Sequence, residues 1–209
     1  MLVDIDEQDI IKIIPNYNID LEFPKYEYGL TAEFDMRRIL RLINAVDAKS
    51  IFEFGTWFGR TTKILSLYLD DVWTIDICKE EVNLDTLPQV QIQELCVKSQ
   101  IGECYRDSPN LYRIHQLYGD TNKIGTIQKM RDAIPNKVDS SFVDANHNYC
   151  PVLCDSFTAM SITKRGGLLI WHDVKNGNLE CGVDPALDIL PLQVYHINHS
   201  WVGFAINEY

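Results

Sequence analysis

Ile51-Phe52-Glu53-Phe54 is a short apolar run that breaks into the turn Gly55-Thr56-Trp57-Phe58-Gly59 and then into a helix-like stretch over residues 60–69. A strand, a glycine-bearing turn and a helix in this order bring bare backbone N–H groups to one point, where an anionic or polar cofactor can dock. The spacing is Glu-x-Gly-x-x-x-Gly. It lacks the middle glycine that Gly-x-Gly-x-x-Gly places where the backbone approaches a pyrophosphate, and Trp57 lies in that region, so a dinucleotide fits poorly. Asp76 closes the next apolar run, 17 residues after Gly59, where a carboxylate can accept hydrogen bonds from ribose hydroxyls. A nucleoside cofactor without a diphosphate fits better. Asp120, Asp144 and His172-Asp173 close three further runs, and His147 follows Asp144 in the polar turn Ala145-Asn146-His147-Asn148.

The elements that must position these groups follow from periodicity. Residues 50–54, 72–76, 111–117, 138–144 and 168–171 read as strands, and helical patterns at 60–69, 121–133 and 150–163 separate most of them. The segment 77–110 exceeds a usual connection, so part of it should be helical. A helix capped by Thr31 carries Met36, Ile39, Leu40 and Ile43 on one face, and another runs over 185–190. Residues 193–197 and 202–207 are close enough for a closing hairpin. The expected fold is α/β, a doubly wound, mostly parallel seven-stranded sheet with a C-terminal antiparallel hairpin. Residues 1–30 read as an irregular arm docked by its aromatics, and 31–209 as a single domain. In such sheets ligands bind beyond the carboxyl ends of the strands, near the point where strand order reverses. Every acid named above falls at those ends.

Composition narrows the partners. At 209 residues and 46% hydrophobic the chain can bury one sizeable core. A formal charge of −11 disfavours nucleic acid, whose binding gains affinity by neutralising phosphates with Lys and Arg. Six cysteines show no Cys-x-x-Cys and fit scattered, reduced thiols. The acidic N-terminus lacks the apolar core of a signal peptide, and no run approaches the roughly 20 apolar residues of a membrane span, so no membrane partner is expected and the cytoplasm is the expected location. Oligomeric state stays open.

Taken together, residues 31–207 resemble the class I methyltransferases that use S-adenosylmethionine, a Rossmann-like methyltransferase fold. The Glu-x-Gly-x-x-x-Gly turn and the acid ending strand two are similar to that family's two main cofactor motifs. Val143-Asp144-Ala145-Asn146-His147-Asn148-Tyr149, then Asp155, then Gly166-Gly167-Leu168-Leu169-Ile170-Trp171-His172-Asp173 resemble a branch of small, O-methyltransferase-like bacterial enzymes. Ile101-Gly102-Glu103-Cys104-Tyr105-Arg106 and Gln116-Leu117-Tyr118-Gly119-Asp120 are similar to the same branch, whereas Cys150 stands where it commonly has an acid.

The resemblance implies roles. Gly55, Thr56 and Gly59 would shape the turn around the methionine part of S-adenosylmethionine, Glu53 would orient it, Asp76 would hold the ribose, and Asp120 with Thr121 would contact the adenine. Asp144 would border both cofactor and acceptor. The acceptor would be a small molecule methylated at a hydroxyl oxygen, which must lose a proton. His147 is the candidate base, because imidazole titrates near neutral pH. Asp144, His172 and Asp173 could instead hold Mg²⁺ or a similar divalent ion, as related enzymes do with acids, although a histidine ligand leans toward a transition metal. Plainer roles compete: Glu53 bracing the turn, Asp120 capping a helix, His147 bonding within its loop, Asp173 orienting a histidine. His115, His196 and His199 lie away from the cluster. An NAD-dependent oxidoreductase and a cofactor-binding module without turnover remain the alternatives.

Overall fold

Strand β2 (Ser50–Phe54) is the centre of the molecule because both of its faces are apolar: Ile51 packs on one side of the sheet, Phe52 and Phe54 on the other, and all three are buried. The computed structural model describes residues 1–24, 31–82, 95–177 and 182–209. Around β2 lie β1 (Leu2–Ile5), β3 (Asp71–Asp76), β4 (Ile114–Tyr118), β5 (Val138–Val143), β6 (Thr163–Trp171), β7 (Val194–Ile197) and β8 (Gly203–Ile206), in the order β1-β7-β8-β6-β5-β2-β3-β4. β2 pairs in parallel with β3 and β5, β3 with β4, and β5 with β6; β8 runs antiparallel to both β6 and β7. The chain winds outward from β2 to β4 and then returns to the other side of β2 as β5. The order therefore reverses between β2 and β5, and that crevice is where a ligand is expected.

Helices cover both faces. α1 (Glu33–Ala45) buries Met36, Ile39, Leu40 and Ile43, the stripe its spacing predicts, and α2 (Arg60–Leu65) buries Ile64 and Leu65 against the same face. α3 (Ile124–Ala133), α4 (Tyr149–Ile162) and α5 (Val183–Asp188) pack on the opposite face, through Met130, Val152, Ala159 and Ala186 onto Phe54, Val143 and Trp171. Full burial of each Phe, Leu or Ile contributes about 1.5–3 kcal/mol, so the β2 phenylalanines alone anchor the crossover firmly.

The expected parallel strands and the closing hairpin are present, and β1 makes an eighth strand. The arm of residues 1–30, read as irregular, contains both β1, paired in parallel with β7, and a 3-10 helix, Glu7–Lys12. A four-residue edge strand carries too little alternation to be read from sequence. Tyr17 is docked as expected, while Tyr26 and Tyr28 lie outside the described residues. Ala32, not Thr31, precedes α1, because the Thr31 hydroxyl turns to Thr61 at 3.4 Å. α2 ends at Leu65 rather than Leu69, and Tyr68 is half exposed, edge-on to Phe23. β4 begins at Ile114 after a 3-10 turn, and α3 begins at Ile124. β6 starts at Thr163 and includes Gly166 and Gly167: a Cβ on Gly167 would lie 2.5 Å from the Asp139 carbonyl oxygen, so the bare backbone keeps the strand paired there. Of 77–110, residues 83–94 fall outside the described residues; Lys79–Glu81 and Glu103–Tyr105 are single 3-10 turns.

Candidate functional site

The glycine turn is held in a conformation few residues adopt. Gly55, Trp57 and Gly59 all have positive φ, at 95°, 47° and 78°. Gly55 sits against β5 so closely that a Cβ would lie 2.3 Å from the Asp144 carbonyl oxygen, which puts the turn directly on the switch point. Trp57 is not a glycine, and its left-handed φ costs on the order of 1–2 kcal/mol. Its N–H donates to Asp76 Oδ2 at 2.5 Å, an interaction that helps hold it there. The other Asp76 oxygen accepts from the Ile77 N–H at 2.7 Å. Burial raises the Asp76 carboxyl above its ordinary range, partly offset by these backbone N–H groups. Three backbone N–H groups, of Trp57, Ile77 and Thr56, act on the carboxylate, whose roughly four acceptor sites leave room for a ligand hydroxyl.

Glu53 points into the protein. It is 1% exposed, accepts hydrogen bonds from the Thr62 hydroxyl and from Thr74 Oγ1 at 2.7 Å, and burial pushes its carboxyl up to about 8 against the pull of those hydroxyls. The network continues: Thr56 and Thr74 share a hydrogen bond at 2.7 Å, Gln116 Nε2 donates to Thr56 Oγ1 at 3.0 Å, and the Tyr105 hydroxyl donates to Gln116 Oε1. Glu53 thus braces the turn through Thr62, Thr74 and Thr56.

Residues 102–105 close over the same turn. Gly102 N–H donates to the Trp57 carbonyl at 2.8 Å and Cys104 N–H to the Phe58 carbonyl at 3.0 Å. A Cβ on Gly59 would lie 2.5 Å from the Tyr105 ring, so Gly59 is required by this packing as well as by its φ.

The second half of the site lies beyond β5 and β6. His147 Nε2 is 2.8 Å from Asp173 Oδ2 and 3.9 Å from Asp144 Oδ1, a close ionic approach without a directed hydrogen bond from that nitrogen. Burial alone would lower His147, but the two carboxylates outweigh it and hold the imidazole at about 10, so it is charged at neutral pH rather than a free proton acceptor. Burial opposes ionisation of Asp144 and Asp173 too; the histidines prevail and keep both carboxyls below their ordinary range. His172 Nδ1 lies 3.5 Å from Asp144 and 3.3 Å from Asp173, and its Nε2 lies 3.2 Å from Asp35 Oδ2. Asp173 itself has a left-handed φ of 58°, which turns its carboxylate back toward His147.

Asp144, His147 and Asp173 each present one ligand atom within 4.8 Å of the others. Two carboxylates and an imidazole nitrogen without a directed hydrogen bond are a donor set that fits a divalent cation. His147 enters this set beside the expected Asp144 and Asp173, while His172 also borders both acids.

Asp120 lies past β4, where Oδ1 accepts from Asn122 N–H at 3.0 Å and from its side-chain amide at 3.1 Å; the residue before α3 is Lys123, so Asp120 braces the loop rather than capping the helix. Thr121 faces buried Asp155 on α4, whose carboxyl burial pushes up to about 7. Two of the remaining histidines are structural: His115 bonds Asp71 at 2.8 Å and stacks on Trp73, and His196 lies between Asp4 at 2.7 Å and the Ser200 carbonyl at 2.9 Å; His199 is exposed in the turn between β7 and β8. Among the described residues, Cys96, Cys104, Cys150 and Cys154 are free thiols and no helix is long and apolar enough to cross a membrane.

Asp35, Thr62, Thr74 and Gln116 were not singled out by sequence. A signal existed for Asp35, since residues 35, 39 and 42 share one helical stripe and the other two are Ile39 and Leu42.

Residues 52–174 match the model of a family described as a methyltransferase domain. A comparison with curated proteins finds no significant match. Among solved structures, the chain is similar to the O-methyltransferase TomG from Streptomyces achromogenes, involved in tomaymycin synthesis and in complex with S-adenosylmethionine, at 13% identity over 97% of this chain and 88% of that one, TM-score 0.59. It is similar to an O-methyltransferase from Bacillus cereus in complex with S-adenosylhomocysteine at 12% identity, covering 96% and 90%, TM-score 0.53. It is also similar to the MycE methyltransferase of mycinamycin biosynthesis, in complex with Mg, S-adenosylhomocysteine and mycinamycin VI, at 14% identity, covering 98% and 54%, TM-score 0.55.

Proposed function

The chain belongs to the family described as a methyltransferase domain, and on that premise we propose that it is of the class I type that uses S-adenosylmethionine and transfers the cofactor's methyl group to a hydroxyl oxygen of a small molecule. The observation that carries this reading is the junction of the two half-sites: Gly55 lies against the Asp144 carbonyl, which sets the cofactor turn beside the cluster of Asp144, His147 and Asp173. The turn of Gly55, Thr56 and Gly59 takes the methionine end, Asp76 the ribose, and Asp120 with Thr121 the adenine. Glu53 acts behind the turn, through the threonines it binds.

Methyl transfer from a sulfonium requires the nucleophile in line with the S–CH3 bond, so positioning supplies much of the catalysis. Asp144 and Asp173, ionised through neutral pH, draw an acceptor hydroxyl to this end of the crevice. Asp144, His147 and Asp173 are the residues that would hold a divalent ion. Such an ion, when bound, supplies Lewis acidity that makes a hydroxyl more acidic. His147 is held protonated between the two carboxylates; were a cation held there, the imidazole would release that proton to solvent, because a nearby positive charge lowers its proton affinity, and Nε2 would then be free as a ligand or as acceptor of the hydroxyl proton. The Mg reported with MycE supports the ion, and the small-molecule complex of that protein supports the acceptor class. An acidic chain suits neither nucleic acid nor an anionic surface, and reduced thiols suit the cytoplasm, where we place it.

Calorimetry with S-adenosylmethionine, S-adenosylhomocysteine and NAD tests the assignment. Both adenosyl ligands should bind, and Asp76→Ala should weaken them by about 1–3 kcal/mol through a lost charged hydrogen bond. Tight NAD binding without binding of the adenosyl ligands would sink it.

A further inference from the structure

Asp35 is a carboxylate where an apolar residue is expected. It is 0% exposed, on the stripe that α1 buries against the sheet, and it touches the site from behind. Its Oδ2 lies 3.2 Å from His172 Nε2, and its Oδ1 accepts the Trp201 N–H from the turn between β7 and β8 at 3.3 Å. Trp201 and Phe142 flank the His172 ring edge-on, at 6.1 and 6.4 Å between centroids. The imidazole is thereby clamped: aromatic walls on two sides, Asp35 on Nε2, and the Asp144 and Asp173 carboxylates 3.5 and 3.3 Å from Nδ1.

We propose that Asp35 is a positioning residue of the acceptor end: it fixes the His172 ring, and His172 in turn fixes the Asp144 and Asp173 carboxylates that face the substrate. A buried carboxylate without a partner is costly, so an acid at this position needs a compensating contact, and the His172 ring nitrogen at 3.2 Å supplies it. The arrangement also matches the general pattern by which an outer carboxylate orients an imidazole through its far nitrogen. Among the described residues Asp35 makes no hydrogen bond or ion pair with the cofactor turn or with Asp76. Its effect is confined to the acceptor half, and the proposal rests on the reading of that half given above.

The test begins with the unaltered protein. In ¹⁵N-histidine spectra, the His172 Nε2–H should be shielded from solvent exchange, as a proton held between a buried ring and a buried carboxylate must be. Rapid exchange overturns the proposal whether or not any variant folds. In Asp35→Asn, the His172 resonances should shift, Mn²⁺ affinity measured by calorimetry should fall tenfold or more, as loss of an outer partner typically does, and S-adenosylhomocysteine affinity should stay within twofold. In a His172→Gln background, Asp35→Asn should add no further loss, since Asp35 acts through that ring. Unchanged His172 resonances in Asp35→Asn, or equal losses of Mn²⁺ and S-adenosylhomocysteine affinity, would indicate that Asp35 is not a positioning residue of this site. An unaltered protein that binds S-adenosylhomocysteine but not Mn²⁺ removes the ion from the proposed function; the His172 spectra then decide the role of Asp35.

Discussion

Replacing Gly55 by alanine should injure both halves of the site at once. At φ 95° an L-residue is strained by about 1–2 kcal/mol, and the new methyl would lie 2.3 Å from the Asp144 carbonyl oxygen and 2.9 Å from the Ala145 Cα. All of these contacts are backbone, so β2 and β5 must part at their carboxyl ends. The hydrogen bond that joins them there, Asp144 N–H to the Phe54 carbonyl at 3.0 Å, would be stretched, and the bond from Gly55 N–H to the Ile75 carbonyl of neighbouring β3, also 3.0 Å, would be displaced with the turn; losing each costs about 0.5–1.5 kcal/mol. Together the loss is about 2–5 kcal/mol, which for a chain of this size lowers the melting temperature by roughly 2–4 °C per kcal/mol. Urea unfolding followed by circular dichroism measures the stability, and calorimetry with S-adenosylhomocysteine measures what remains of the pocket. Gly125→Ala is the control: its Cβ would meet nothing within 4 Å, so stability should be unchanged or raised by up to about 1 kcal/mol. If Gly55→Ala lost less than about 1 kcal/mol and kept its ligand affinity, the close seating of the turn on β5 would be refuted as the basis of the site.

Two further outcomes follow from charge. Burial raises Glu53 to about 8, so the folded state binds its proton more tightly than the unfolded chain, and stability should fall as pH rises from 4.5 through 8. Glu53→Gln keeps an acceptor for Thr62 and Thr74 and carries no charge, so its advantage over the unaltered protein should grow across that window while S-adenosylhomocysteine affinity holds; parallel stability curves, or lost affinity, would mean that Glu53 is not a brace. His147 is raised from 6.5 to about 10, so its contribution is fully present below 6.5 and lost as pH climbs through about 10. Asp173 is lowered by the same ion pairs, and its contribution is present above 3.8 and lost as pH falls below that value. Thermal melts across pH should therefore show an alkaline limb that His147→Asn flattens; an unchanged limb would place the titration elsewhere.

Sequence disclosed what depends on local pattern. The apolar-rich runs at β2, β3, β5 and β6 marked the parallel strands, and acids closing them marked one end of the sheet, so Asp76, Asp144 and Asp173 were expected at the strand ends where the structure has them. What it could not disclose depends on contacts between distant segments. Whether Glu53 faces ligand or protein is decided by Thr62 and Thr74, and whether His147 or His172 lies nearer the two acids is decided by loop geometry, including the left-handed turn at Asp173. β1 was missed because Leu2–Ile5 gains its order from pairing with β7, some 190 residues away. Asp35 looked like an ordinary acid in the first turn of a helix, which is where acids are favoured on dipole grounds.

The clasp of residues 102–105 on the glycine turn bears on how such a chain can be rebuilt. The Tyr105 ring occupies the space a Gly59 side chain would need, Gly102 is bonded to Trp57, and Tyr105 is wired through Gln116 to Thr56. The glycine turn and residues 102–105 are therefore templates for each other. A chimera that imported 102–105 from a relative would distort the glycine turn unless 55–60, 101–105 and Gln116 moved as one block. In this chain, the smallest exchangeable module is that discontinuous set, not a loop.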